Sequence, residues 1–178
     1  MTRLFDRPIA HRGLHDATRG VIENSRSAFE AAIAAGYAIE CDVQLSSDGV
    51  PFIFHDDNFE RLTEASGRSD AKPIAEVQRL VLKGSSTGEV PQRFTGFLDQ
   101  VAGRTLLQIE LKQQASPAGT RRLASSVAEA LATYRGPYTL ESFDPNLLIA
   151  LRRSGVRAPL GIITYGYDEP EWDGSLSG

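Results

Sequence analysis

The chain has 178 residues, 41% hydrophobic and 24% charged, enough apolar length for one folded domain and unlike a disordered chain. Its 19 basic and 23 acidic residues leave a formal charge of −4, which argues against a general nucleic-acid binder, because such proteins carry a basic excess. A single cysteine, Cys41, excludes an intrachain disulfide and fits a reducing compartment.

The N-terminal residues 1–8 lack the apolar run of a secretion signal, and no stretch approaches the ~20 apolar residues of a membrane span. The expectation is a cytoplasmic, soluble, single domain over residues 1–178. Residues 8–11 are a short apolar run that reads as a first strand, delivering His11, Arg12 and Gly13 at its end. A polar loop with His15, Asp16 and Glu23 follows, and Asn24 is the predicted N-cap of a helix. Ala28, Phe29, Ala32 and Ile33 recur at helical spacing, and Gly36 closes that helix.

Residues 38–45 alternate strictly between apolar and polar, the period of a strand. The turn Ser46-Ser47-Asp48-Gly49 leads to a second apolar run, residues 51–55, which also ends on a histidine, His55. Residues 56–72 are polar and turn-rich. Residues 73–82 and 94–101 carry short helical patterns around a Gly/Ser/Thr-rich loop. Residues 105–112 alternate again, residues 118–134 form the longest helical stretch, and residues 138–143 read as a strand. Pro145 suits the first turn of a helix to about residue 153. Residues 160–165 are the last of six predicted strands. A polar tail follows, in which Trp172 reads as a packing anchor. Strands mostly alternating with helices predict an α/β fold with a parallel sheet, as in a (β/α)8 barrel, whose active site sits at the C-terminal ends of its strands.

Glu40 and Asp42 share one face of the alternating strand, with Cα atoms roughly 6.5–7 Å apart. Glu110 and Lys112 repeat the design on a later strand. Three carboxylates without clustered cysteines suit Ca²⁺ or Mg²⁺ rather than zinc. Arg12 offers a fork for phosphate oxygens and Lys112 a point charge. Two histidines, His11 and His55, can divide acid–base work near neutral pH. Phosphodiester cleavage uses all these parts. Each residue also has a plainer reading. The histidines could be structural, Arg12 could pair with Glu23 or Asp16, Lys112 could be a solvated charge, and the acidic face could simply meet water. Cys41 lies on the apolar face of its strand and reads as core, not nucleophile.

Together these stretches resemble the glycerophosphodiester phosphodiesterase family. The matching text is Ala10-His11-Arg12-Gly13, Glu23-Asn24-Ser25 with Ala28-Phe29, Gly36, Ile39-Glu40-Cys41-Asp42-Val43, Asp48-Gly49, Phe54-His55-Asp56, Arg61-Leu62-Thr63 and Gly67, then Ile109-Glu110-Leu111-Lys112 and Ser142-Phe143. The resemblance implies a TIM (β/α)8-type barrel with a divalent metal, Ca²⁺ or Mg²⁺, held by Glu40, Asp42 and Glu110. It implies His11 and His55 as the acid–base pair, Arg12 and Lys112 as phosphate contacts, and Glu23 in a supporting role. The substrates would be small-molecule glycerophosphodiesters such as glycerophosphocholine, cleaved to glycerol 3-phosphate and an alcohol. Attack by the substrate's own glycerol hydroxyl, through a cyclic phosphate, and direct attack by water both stay open. One departure stands out: the chain lacks the last two βα units of the family pattern, and a TIM barrel typically needs about 250 residues. A homo-oligomer would cover the open barrel edge. The alternatives are a non-catalytic phosphate-ligand binder or inactive truncated remnant, and a related phosphodiesterase acting on lysophospholipids, for which no exposed aromatic cluster is seen.

Overall fold

Residues 6–164 are described by a computed structural model; the tail with Trp172 and the last residue of the sixth predicted strand lie outside them. All six predicted strands form: β1 (Ile9–Ala10), β2 (Ala38–Leu45), β3 (Pro51–Ile53), β4 (Leu107–Leu111), β5 (Tyr138–Ser142) and β6 (Leu160–Ile162). Five make a parallel series in the order β1-β2-β4-β5-β6, the strand arrangement of a TIM-type α/β fold. The sixth, β3, pairs antiparallel with β2. Residues 46–50 explain this exception: a parallel return needs a crossover of a dozen or more residues, and five allow only a hairpin. The return sets Ile53 beside Val43, and the Phe54 amide donates to the Asp42 carbonyl at 3.1 Å. His55 therefore arrives beside the acidic strand by a hairpin, not at the end of a barrel strand.

Helices cover the apolar side of the sheet. Helix α1 (Arg26–Ala34) buries Ala28, Phe29 and Ala32, with Phe29 on the ring of Phe97 at 4.5 Å between centroids. Its N-cap is Ser25, whose hydroxyl accepts from the Ala28 amide, and not the predicted Asn24, whose side chain is committed to Asp42. The predicted closure by Gly36 is correct. Its φ of 74° lets its amide reach the Ile33 carbonyl and the Tyr37 amide reach that of Ala32. Helices α3 (Phe94–Val101), α4 (Pro117–Leu131) and α5 (Pro145–Arg153) fall where their periodicity places them. The pattern over 73–82 shrinks to α2 (Ile74–Val77), because the chain then turns so that the Leu82 amide can pair with Glu89.

Every residue of β2 is buried. Ile39, Cys41 and Val43 pack with Phe97, Val101 and Val127 in the main core. A second cluster around Phe52, Phe54, Phe59, Ile74, Val77 and Leu82 orders the polar segment after β3, for which the sequence shows no period. It gives that segment an apolar anchor, and so holds the loop that carries His55.

Gly13 fastens the end of β1 to α1. Its φ is +79°, and a Cβ there would stand 2.9 Å from both the carbonyl carbon and the Cβ of Ala28. Gly13→Ala combines a left-handed backbone with overpacking against α1, and the expected loss is roughly 2–4 kcal/mol in urea unfolding. An unchanged unfolding midpoint would contradict the close packing of the loop after β1 onto α1.

Candidate active site

The register of β2 on β4 sets Asp42 beside Glu110, and the period of β2 places Glu40 on the same face. One carboxylate oxygen from each of Glu40, Asp42 and Glu110 lies within 4.8 Å of the others. All three are buried, at 5%, 1% and 9% exposure, so the plainer reading of a solvated acidic face fails. Burial raises the pKa of Glu40, and the charges of Asp42 and Glu110 raise it further. Burial also raises Glu110, although Lys112 opposes the shift.

Two cations answer these charges. The Lys112 ammonium lies 2.7 Å from Glu110 Oε1 and 3.6 Å from Asp42 Oδ1. Arg12 Nε lies 3.5 Å from Asp42 Oδ2. Neither contact to Asp42 is a hydrogen bond: Asp42 Oδ1 and Arg12 Nε are both buried without a hydrogen-bond partner. A buried, unpartnered carboxylate oxygen inside an all-oxygen donor set fits a hard divalent cation. Of the neighbouring acids, Glu141 is in register with Glu110 but is taken by Gln108, which donates to it at 2.7 Å. Cys41 is fully buried on the opposite face, and burial pushes its thiol pKa up, consistent with core rather than nucleophile.

The loop after β1 wraps around this cluster. Arg12 adopts φ 57°, unusual for a side-chain-bearing residue. Its amide donates to Glu40 Oε2 at 2.8 Å, its carbonyl accepts from the Asn24 amide at 2.9 Å, and its Nη1 donates to Glu23 Oε1 at 2.8 Å. Glu23 thus contacts Arg12, and its other contacts are to Arg61. Burial acts to raise its pKa, but hydrogen bonds from Arg61 and Arg12 win and lower it to about 2. Asn24, read from sequence as a cap, instead sits at φ 55° and clasps Asp42, donating from Nδ2 to Oδ2 at 2.8 Å and accepting from its amide at 3.3 Å. Asparagine tolerates left-handed backbone better than most residues, which was the available signal.

His11 Nε2 lies 3.9 Å from Glu40 Oε2, with its side chain 70% exposed. His55 is more enclosed, with its Nδ1 2.7 Å from Asp56 Oδ1. The structure therefore brings His11, Arg12, Glu40, Asp42, Glu110 and Lys112 into direct contact. His55 is near enough to influence both His11 and Glu110 electrostatically. Gln44, given no role from the sequence, donates to the Asp56 carbonyl at 3.1 Å and so holds the loop that carries His55. Asp56 and Arg61 were visible in the sequence only as matching text.

The sequence profile of the glycerophosphoryl diester phosphodiesterase family matches residues 11–173. The chain belongs to this family. Glycerophosphodiester phosphodiesterase 1 of Rattus norvegicus is 39% identical over 73 residues, a stretch that covers 40% of this chain and 21% of the rat protein. A glycerophosphodiester phosphodiesterase of Caldanaerobacter subterraneus is 37% identical over 73 residues, 40% of this chain and 29% of its own. Matched stretches thus span about a fifth to a third of these relatives. Among solved structures, an Oleispira antarctica phosphodiesterase in complex with its product sn-glycerol-3-phosphate shares the fold, with a TM-score of 0.80 and 24% identity over 92% of this chain and 68% of its own. A glycerophosphodiester phosphodiesterase of Agrobacterium tumefaciens matches with a TM-score of 0.73 and 25% identity over 86% and 65%. No helix among the described residues is long and apolar enough to cross a membrane.

The buried acids predict how metal-free protein responds to pH. Because the folded-state pKa of Glu40 is raised above 4.5, the folded state retains a proton that the unfolded chain has released. Stability in a chelator therefore falls as pH rises past 4.5 through the raised value. Glu23 works in the opposite sense, but its contribution is fully present above 4.5 and fades only as pH falls towards 2. Melting in EDTA is expected at lower temperature at pH about 8 than at about 5, with Ca²⁺ or Mg²⁺ removing the difference. Equal melting at both pH values in EDTA would contradict the raised pKa of buried Glu40.

Proposed function

We propose that this chain hydrolyses glycerophosphodiesters to glycerol 3-phosphate and an alcohol. Family membership supports the reaction class. The single observation that carries the reading is the set of three buried carboxylates, with Asp42 Oδ1 left without a hydrogen-bond partner. Glu40, Asp42 and Glu110 would hold a divalent cation, Ca²⁺ or Mg²⁺, which would supply positive charge to phosphate oxygens.

The remaining roles follow from the chain's own groups. Arg12 and Lys112 bring fixed positive charge to the phosphate, with Arg12 steadied by Glu23. Partial burial and the neighbouring Arg12 lower the pKa of His11, which keeps its ring neutral and able to accept a proton from the attacking hydroxyl. His55 is held at Nδ1 by Asp56, so Nε2 is its exchanging nitrogen; in the imidazolium form Nε2 carries the proton that passes to the leaving alcohol oxygen as its bond to phosphorus breaks. If water attacks, glycerol 3-phosphate forms directly. If the glycerol hydroxyl attacks, a cyclic phosphate forms and water then opens it, with the two histidines exchanging roles.

Hydrolysis of glycerophosphocholine in Ca²⁺ or Mg²⁺ tests the proposal. His11→Ala should lower kcat/KM by roughly 10²–10⁴-fold. Its melting temperature should stay unchanged, since the His11 side chain is mostly exposed. Folded wild-type protein without turnover in either metal would sink the reading.

A further inference from the structure

Arg61 sits on the segment after β3, far in sequence from the β1 loop, yet it binds carboxylates from both. Its Nη1 and Nη2 donate to Glu23 Oε2 and Oε1 at 2.8 and 2.7 Å. Its Nε and Nη2 donate to Asp56 Oδ2 and Oδ1 at 2.6 and 2.7 Å. Four of the five guanidinium N–H donors are thus spent on two carboxylates. Each carboxylate passes the constraint on through one oxygen. Glu23 Oε1 also accepts from Arg12 Nη1 at 2.8 Å, and Asp56 Oδ1 also meets His55 Nδ1 at 2.7 Å. A continuous chain of alternating charge runs Arg12–Glu23–Arg61–Asp56–His55.

We infer that Arg61 is a positioning residue, fixing the tautomer and ring orientation of His55 through Asp56 and the placement of Arg12 through Glu23. The geometry requires a fork. An ionised carboxylate only accepts hydrogen bonds, so the Asp56–His55 contact is made by an Nδ1–H, and Nε2 is the nitrogen left to exchange a proton. Arg61 keeps Asp56 in that ionised, acceptor-only form: burial acts to raise the Asp56 pKa, but the Arg61 hydrogen bonds lower it. Removing Arg61 would leave two carboxylates facing each other's charge, each with one remaining partner. The Arg61 side chain is 48% exposed, so its contribution to folding is small and its effect falls on the alignment of the two groups it links. A lysine keeps the charge but has no planar fork to bridge both carboxylates.

The catalytic consequence rests on the phosphodiesterase reading; the structural one does not, and the experiment separates them. The chain has three histidines, so ring ¹⁵N NMR resolves His55 once His11→Ala and His15→Ala have identified the other two signals. At a pH where the His55 ring is neutral, wild-type protein should show it as a single tautomer with the proton on Nδ1. Arg61→Gln should give ¹⁵N shifts averaged between tautomers with an unchanged circular dichroism spectrum. In the active protein, kcat for glycerophosphocholine should fall about 10-fold, with KM raised as Arg12 loosens. Arg61→Lys should show the same averaging, and it serves as the test variant if Arg61→Gln does not fold. If wild-type protein proves inactive, the tautomer shift still decides the link. Unchanged His55 ¹⁵N shifts in the folded variant would overturn the inference.

Discussion

Burying three carboxylates side by side, on β2 and β4, is the constraint that the rest of this structure answers. A charged group taken out of water needs a partner, or its pKa moves until it is neutral. Every polar group near Glu40, Asp42 and Glu110 can be read as a response. Lys112 and Arg12 bring positive charge, Asn24 clasps Asp42, and the Arg12 amide caps Glu40. Two cations face three carboxyl groups, and Arg12 is shared with Glu23. Full ionisation would leave the balance negative, at a point where an Asp42 oxygen has no hydrogen-bond partner.

The backbone around the cluster is bent to serve it. Arg12 and Asn24 are both left-handed and joined to each other by a 2.9 Å hydrogen bond between main chains. Such conformations cost on the order of 1–3 kcal/mol each and persist where the surroundings over-determine them. Here Gly13 wedged on α1, the Ser25 cap and the carboxylates themselves supply that determination. On the other side, the hairpin of β3 and the aromatic cluster of Phe52, Phe54 and Phe59 support the loop that holds His55 and Asp56. The site is thus clamped between an α1 anchor and a second hydrophobic cluster, with Arg61 tying the two loops together.

Much of this was legible from residues alone, because local periodicity encodes which face a side chain takes. The alternation over 38–45 and 105–112 places Glu40 and Asp42 on one face and Glu110 and Lys112 on one face, and the helices over α1, α3, α4 and α5 follow from 3.6-residue spacing. Cys41 as core followed in the same way. Asn24 was legible only as a helix cap, since nothing local shows that its side chain is claimed by a strand 18 residues away.

What the sequence determined by itself was the set of chemical groups and the face each one takes, since period 2 and period 3.6 are properties of the backbone. Only tertiary structure decided the register that sets Asp42 against Glu110, the hairpin that brings His55 back beside β2, and the burial that turns an ordinary acidic face into one that demands cations. The chain of contacts through Arg61 belongs to the same class. Its link to Glu23 spans 38 residues of sequence, and a hydrogen bond over such a separation is made by packing, not by local pattern.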